Sequence, residues 1–153
     1  MHDILARLPA HFDLHPVTSA SEVSGGLSNA LYRVETSAGA YAVKIMGINA
    51  DSHDFQDNIE NAFAVEQAAF TAGVPCPEPV PTSQGTCLAA VAGKLVRVHH
   101  WVEGVTPAIT PESGRWAGEL LAKIHSIEGH VDLTLDDDPS DESGGPASRT
   151  PRD

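Results

Sequence analysis

Two strand-like segments joined by a short turn constrain the fold of this chain most. Residues 31–35 and 41–46 are rich in aromatic and aliphatic side chains, and the turn between them contains Gly39. Two such runs around a short glycine turn predict an antiparallel hairpin. Because successive side chains of a strand point to opposite faces, Lys44 would lie on the face opposite to Val43.

A long helix is predicted directly after the hairpin. Apolar side chains recur at spacings of three and four over residues 54–72, which makes one stripe along a helix. Asp54 would cap the first turn, and Gly73 followed by Pro75 would end the helix. The stripe gives this helix a face that can pack on the sheet of the hairpin.

The other predicted elements complete a mixed architecture. They are, in chain order, a helix at 2–8 that Pro9 ends, strands within 14–23, 87–91 and 95–102, and a helix at 110–127 with an apolar face. This order predicts an α+β fold in which one long helix packs on an antiparallel five-stranded sheet.

The charge of the chain argues against two classes of partner. There are 9 Lys and Arg against 21 Asp and Glu, a net charge of −12. This balance disfavours nucleic acid and anionic membrane surfaces, which both attract basic proteins. We find neither a signal peptide nor a run of the ~20 apolar residues that span a bilayer. Two cysteines without CxxC spacing indicate a reduced, cytoplasmic protein with no disulfide scaffold.

The segment after His130 differs from the rest of the chain. It is rich in Asp, Ser, Gly and Pro and has almost no apolar side chains to bury. Such a composition is typical of disorder, so residues 131–153 are predicted to be an acidic tail or linker.

One acidic residue of the long helix stands out. Glu66 falls inside the apolar stripe, where a carboxylate is costly unless it is paired, whereas Glu60 lies on a side that we predict to be solvated. Lys44 on the adjacent strand could neutralise Glu66, and such a strand-lysine and helix-glutamate pair positions nucleotide phosphates in kinases. The alternatives are a solvent-facing Lys44 and a Glu66 that reaches water from the edge of the stripe.

A glycine-containing turn precedes the hairpin. Gly25 and Gly26 would let backbone N–H groups approach a phosphate, aided by the Ser28 hydroxyl and the Asn29 amide. The alternative is a plain hairpin loop, because the turn lacks the GxGxxG spacing of protein kinases and the GxxxxGK[ST] spacing of P-loop proteins.

The end of the last strand is typical of a connection between two lobes. Backbone groups of Trp101, Val102 and Glu103 could hydrogen-bond an adenine edge there. His99 and His100 are interpreted as structural, because adjacent strand residues point to opposite faces and are poorly placed to chelate one metal. We predict no metal site in this chain.

With these segments in order, the sequence resembles the aminoglycoside phosphotransferase and choline-kinase-like superfamily from about Ser21 to His130. The segments that carry the resemblance are Gly25–Val34, Tyr41–Lys44, Glu66–Pro79 and Gly118–His125. The resemblance implies a protein-kinase-like fold that binds ATP with Mg²⁺ between two lobes.

By this resemblance, each predicted site residue has a role. Lys44 would hold phosphates and Glu66 would orient Lys44, while the loop at 25–29 would cover the phosphates and residues 101–103 would form the adenine hinge. Residues 1–103 would then be the nucleotide-binding N-lobe, and residues 104–130 the hinge exit and first helix of the second lobe.

The sequence departs from the family in its catalytic segment. Such enzymes carry a His-Gly-Asp triplet with the catalytic base, and this triplet is absent here. We therefore expect a truncated ATP-dependent small-molecule phosphotransferase with no catalytic residues, able at most to bind nucleotide. The alternative is a non-catalytic nucleotide-binding or regulatory module that pairs with another chain. Its partners would be a nucleotide and either a missing C-lobe or a partner chain.

Overall fold

The predicted hairpin and long helix are both present in the computed structural model, which describes residues 1–24 and 28–127. The elements are α1 (His2–Phe12), β1 (Val17–Val23), β2 (Ala30–Thr36), β3 (Gly39–Ile45), α2 (His53–Thr71), β4 (Pro79–Val80), β5 (Ala89–Val91), β6 (Lys94–His100) and α3 (Pro111–His125). The predicted acidic tail at 131–153 and the loop glycines Gly25 and Gly26 lie outside the described residues.

The strands form one antiparallel sheet in the order β1-β2-β3-β6-β4, with β5 also paired to β6. The predicted α+β class with an antiparallel sheet and a long helix is confirmed. The sheet has six strands rather than five, because the proline-rich connection after α2 contributes the two-residue strand β4. An extended proline segment suits such an edge position, where a missing N–H costs no ladder hydrogen bond.

One face of the sheet forms the main core together with α1. Ile4, Leu8 and Phe12 lie four residues apart on one side of α1 and pack with buried strand residues such as Val34 and Val43. The prediction that Pro9 ends this helix is wrong, because α1 continues to Phe12. Burial of Phe12 beside Leu8 offsets the hydrogen bond that a proline inside a helix removes.

The opposite face of the sheet carries Lys44 and receives α2. As predicted, Val43 is fully buried and Lys44 lies on the other side of β3. The N-cap of α2 is Ser52 rather than Asp54, since the Ser52 hydroxyl accepts a hydrogen bond from the Phe55 N–H at 3.4 Å. Serine at this position satisfies one of the free N–H groups of the first helical turn.

The predicted apolar face of the last helix is present but exposed. Trp116, Leu121 and Ile124 all have exposed side chains, and no residue of α3 is buried. Lys123 connects α3 to the end of α2 by donating a hydrogen bond from Nζ to the Gly73 carbonyl at 2.7 Å. In residues 1–24 and 28–127, no helix is long and apolar enough to cross a membrane.

Candidate functional site

A cavity of about 420 Å³ lies on the Lys44 face of the sheet, next to α2 and the end of β6. It brings together four of the predicted site residues and two that were not assigned a site role, namely Lys44, Glu66, Trp101, Val102, Arg97 and His99. A second cavity of about 530 Å³ between α1 and β1 has no Asp, Glu, Lys or Arg among the described residues of its wall. Because ionisable groups concentrate in the first cavity, it is the candidate site.

Glu66 pairs with Arg97 and His99 in this cavity. The Arg97 guanidinium forms an ion pair with the Glu66 carboxylate through Nη2, and His99 Nε2 lies 3.4 Å from the same carboxylate oxygen. Lys44 makes no ion pair with any residue in the described ranges, so the predicted direct pair of Lys44 with Glu66 is not formed. The reason lies in the register, because Arg97 is directly opposite Lys44 on the neighbouring strand.

The environment of Glu66 affects its ionisation in two opposing ways. Partial burial raises the pKa of Glu66, but the hydrogen bond from His99 and the charge of Arg97 outweigh this effect, so the pKa lies below its usual value. The carboxylate therefore stays ionised through the neutral range. Its negative charge balances the positive charge of Arg97.

Arg97 and His99 are the cavity residues beside Glu66 that sequence reasoning missed. Both lie on the same face of β6, because they are two residues apart on one strand. Arg97 is only 8% exposed, which is unusual for an arginine, and its Nε has no hydrogen-bond partner among the described residues. Alternation along the strand was the signal that could have placed Arg97 and His99 on one face of β6.

The predicted hinge is held against the hairpin. The backbone N–H of Trp101 donates a hydrogen bond to the Ala40 carbonyl at 2.9 Å, and the Arg33 guanidinium lies 5.1 Å from the centre of the Trp101 ring. Arg33 also forms an ion pair with Glu103 at 2.8 Å, although Glu103 itself does not line the cavity. The backbone N–H and C=O of Val102 form no hydrogen bond within the described part of the chain.

The loop before β2 is tied to the end of β3. Asn29 Oδ1 accepts a hydrogen bond from the Gly47 N–H at 3.1 Å. A Cβ at Gly47 would clash with the Ser28 carbonyl oxygen, so only glycine fits there. Ser28 and Asn29 thus lie at the end of the strand that carries Lys44, but neither lines the cavity.

The prediction that the Glu60 side chain faces only solvent was wrong. Its carboxylate accepts hydrogen bonds from the backbone N–H groups of Cys87 and Leu88, both at 2.7 Å. Nearby, burial raises the pKa of the Cys87 thiol to about 11, so it stays protonated at neutral pH. Glu60 therefore fixes the segment before β5 to α2, and with it the position of the sheet behind the cavity.

Replacing Glu60 by glutamine should lower the free energy of unfolding by about 1–3 kcal/mol, because one of the two backbone N–H groups would then face an amide NH₂ group instead of an acceptor. Urea denaturation measures the change. The matched control is Glu119→Gln on the exposed surface of α3, which should change stability by less than about 0.5 kcal/mol. Equal effects of the two substitutions would contradict the assigned role of Glu60.

The model of the phosphotransferase enzyme family (APH) matches residues 19–148, which is most of the sequence and includes the whole cavity wall. The chain belongs to this family. Within the described residues there is no group of three His, Cys, Asp or Glu side chains that could hold a metal ion. In the described ranges, this member of the family has an antiparallel sheet with a cavity on one face and no such group of metal-binding side chains.

Relatives of this chain include two homoserine kinases. The enzyme of Hyphomonas neptunium is 27% identical over 138 residues, which cover 87% of this chain and 41% of the relative. The enzyme of Sinorhizobium fredii is 28% identical over 136 residues, covering 86% of this chain and 40% of the relative. The chain therefore spans about 40% of the length of these relatives.

A solved structure of a phosphotransferase has a fold similar to that of this chain. Spectinomycin phosphotransferase in complex with ADP and spectinomycin superimposes with a TM-score of 0.62, over 85% of this chain and 39% of that protein. The two sequences are 13% identical, so the likeness concerns the fold alone. It shows that the described elements share the fold of a part of that phosphotransferase.

Proposed function

We propose that this chain is the ATP-binding lobe of a phosphotransferase that acts on a hydroxyl group of a small molecule. The observation that carries the proposal is the cavity in which Lys44 lies beside the Glu66–Arg97 pair in a member of the phosphotransferase family. Lys44 binds the nucleotide phosphates, and Glu66 belongs to the same site. Ser28 and Asn29, beside the end of β3, belong to the loop that covers the phosphates.

The adenine lies near the hinge. The free backbone groups of Val102, in the segment from Trp101 to Glu103, bind the adenine edge, and the Trp101 ring contributes the wall beside it. Arg33 supports this geometry by holding both Trp101 and Glu103. Backbone donors and acceptors suit a planar ligand with alternating acceptor and donor atoms on one edge.

The charge of the cavity supports an anionic ligand. The chain has a net charge of −12, but the described residues of the cavity wall include Lys44, Arg97 and two histidines against a single carboxylate, Glu66. A local positive potential in a concave site raises the concentration of anions such as phosphate. A lysine that only faced solvent would not need to lie in a cavity beside a second cation.

These 153 residues bind nucleotide but do not transfer phosphate by themselves. The sequence has no His-Gly-Asp triplet, and phosphoryl transfer needs a positioned base and metal together. Mg²⁺ would accompany the nucleotide phosphates, and the family resemblance supports its presence there. Homoserine is the first acceptor to test for the complete site, since the relatives described above are homoserine kinases.

Calorimetric titration of the purified chain with ATP and with adenosine tests the proposal. We expect ATP to bind at least about tenfold more tightly, because charged hydrogen bonds to phosphate add about 1.5 kcal/mol or more. Equal affinities for ATP and adenosine, or no binding of either, would contradict nucleotide binding at this site. A phosphorylated product from homoserine or spectinomycin with this chain alone would contradict the proposed inactivity.

The exposed apolar face of α3 supports a packing partner. Trp116, Leu121 and Ile124 present a continuous helix face of the kind that packs against another lobe or chain. A regulatory module that pairs with another chain is the second candidate function.

We place the protein in the cytoplasm, where ATP is available and where the free thiols of Cys76 and Cys87 stay reduced.

A further inference from the structure

Arg33 starts on the face of the sheet that holds the cavity. It lies opposite Ala42 in the register of β2 and β3, and Ala42 lies opposite His99 in the register of β3 and β6. Directly opposite residues of neighbouring strands share a face, so Arg33 is on the same face as Ala42 and His99, which both line the cavity. Arg33 itself is not among the described residues of the cavity wall.

Two alanines on β3 leave room for the Arg33 side chain to reach beyond the neighbouring strand. Adjacent strands lie about 4.8 Å apart, so the hinge at the end of β6 is roughly 10 Å from β2. Ala40 and Ala42 are two residues apart and share the face of Arg33, and neither side chain is larger than a methyl group. The guanidinium can therefore lie 5.1 Å from the centre of the Trp101 ring, two strands away.

The hinge has few other contacts. Among the described residues, the backbone N–H of Trp101 is the one main-chain group of the hinge that forms a hydrogen bond, to the Ala40 carbonyl. Arg33 adds its contact with the Trp101 ring and an ion pair of Nη1 with Glu103 at 2.8 Å. These two hinge residues flank Val102, whose backbone groups we assign to the adenine edge. Arg33 thus holds the hinge on both sides of that residue.

The contacts of Arg33 suit the placement of a loop better than the stabilisation of a fold. The side chain of Glu103 is 72% exposed and that of Arg33 is 37% exposed. Ion pairs between such exposed groups stabilise proteins weakly. A second carboxylate, Glu35 on β2, pairs with Arg33 Nε at 2.8 Å and fixes the direction of the side chain.

We infer that Arg33 is a positioning residue for the nucleobase, which fixes the hinge backbone around Val102 in the orientation that binds the adenine edge. The inference rests on the proposed function, because it concerns how the hinge binds adenine. Without Arg33, Trp101 and Glu103 lose their shared cation, and nucleotide binding must then include the entropy cost of ordering the segment between them. Lys44 takes no part in these contacts, so the phosphate subsite keeps its affinity.

Calorimetric titration with ATP and with inorganic tripolyphosphate tests the role of Arg33. Both ligands carry three linked phosphates, so the loss of one positive charge affects them alike and the difference between them reports on the adenosine part. Arg33→Met should lower the affinity for ATP about fivefold to tenfold, and the affinity for tripolyphosphate less than about twofold. Arg7→Met, the same change at an exposed position of α1, is the matched control and should leave both affinities within about twofold of their starting values.

Substitution of Glu103 provides a second measurement. Glu103→Gln removes the ionic partner of Arg33 at the hinge, so it should lower the affinity for ATP about threefold and should not lower the affinity for tripolyphosphate. In the R33M background the same substitution should have no further effect, because the two residues act through one contact. If circular dichroism shows that R33M does not fold, E103Q decides the matter, and an unchanged affinity for ATP would then overturn the role of Arg33.

The possible failures can be told apart. An unmodified chain that binds neither ATP nor adenosine would overturn the proposed function. An unmodified chain that prefers ATP to tripolyphosphate, combined with a folded R33M variant that keeps this preference, would overturn only the role of Arg33. Equal losses for ATP and tripolyphosphate in R33M would contradict that role too, because they would indicate general damage to the cavity rather than a displaced hinge. An unmodified chain that binds ATP no more tightly than tripolyphosphate would overturn both the adenine site and the role of Arg33.

Discussion

Replacing Leu8 by alanine will lower the free energy of unfolding by about 2–5 kcal/mol. Leu8 is completely buried at the centre of the face that α1 presents to the sheet, between Ile4 and Phe12. Removing three carbon atoms there leaves a cavity that strand side chains on one side and the helix on the other cannot easily fill. Chemical denaturation followed by far-ultraviolet circular dichroism measures the loss.

The matched control for Leu8 is Leu121→Ala, the same chemical change on α3. Leu121 is 53% exposed, so its truncation should alter stability by less than about 1 kcal/mol. If both variants lose the same stability, α1 does not contribute to the core as described. A small effect at Leu8 alone would mean that α1 can detach while the sheet remains folded.

Replacing Lys44 by methionine will lower the affinity for ATP by about tenfold to a hundredfold while changing the affinity for adenosine far less. The ammonium group is the cation in the cavity wall that no described carboxylate occupies. Methionine keeps most of the length of the side chain and removes the charge. The loss should shrink as salt concentration rises, because screening weakens the contribution of Lys44 in the unmodified chain.

Lys94→Met is the control for Lys44→Met. Lys94 lies at the start of β6, on the exposed turn after β5, and does not line the cavity. Its substitution removes the same charge from the chain, so it should leave both affinities within about twofold of the starting values. Equal losses for the two variants would show that net charge, rather than the position of Lys44, governs binding.

Local patterns predicted the elements and the faces of the strands. Alternation in β3 placed Lys44 opposite to Val43, and the apolar stripe placed Glu66 on the inner side of α2. Both conclusions depend only on the geometry of one element. The partner of Glu66 could not be predicted in this way, because β3 pairs with β6, a strand that lies about fifty residues further along the chain.

The errors also have local physical causes. Proline usually ends a helix, but α1 continues past Pro9, because burial of the Phe12 side chain in the core stabilises its last turn. Glu60 lies off the apolar stripe and is predicted to be solvated, yet two backbone N–H groups from a distant segment bind its carboxylate. Helix periodicity describes which face is apolar, and it contains no information on which loop will pack beside the polar face.

The two tryptophans of this chain lie at the two sites that the proposed functions concern, the nucleotide cavity and the exposed face of α3. Trp101 forms part of the cavity wall, whereas Trp116 is 52% exposed on α3. Their fluorescence can therefore be assigned by substitution, since Trp116→Phe leaves an emitter beside the adenine position and Trp101→Phe leaves one on the apolar helix face. Nucleotide would alter only the emission of Trp101, and a packing partner would shift that of Trp116 to shorter wavelength.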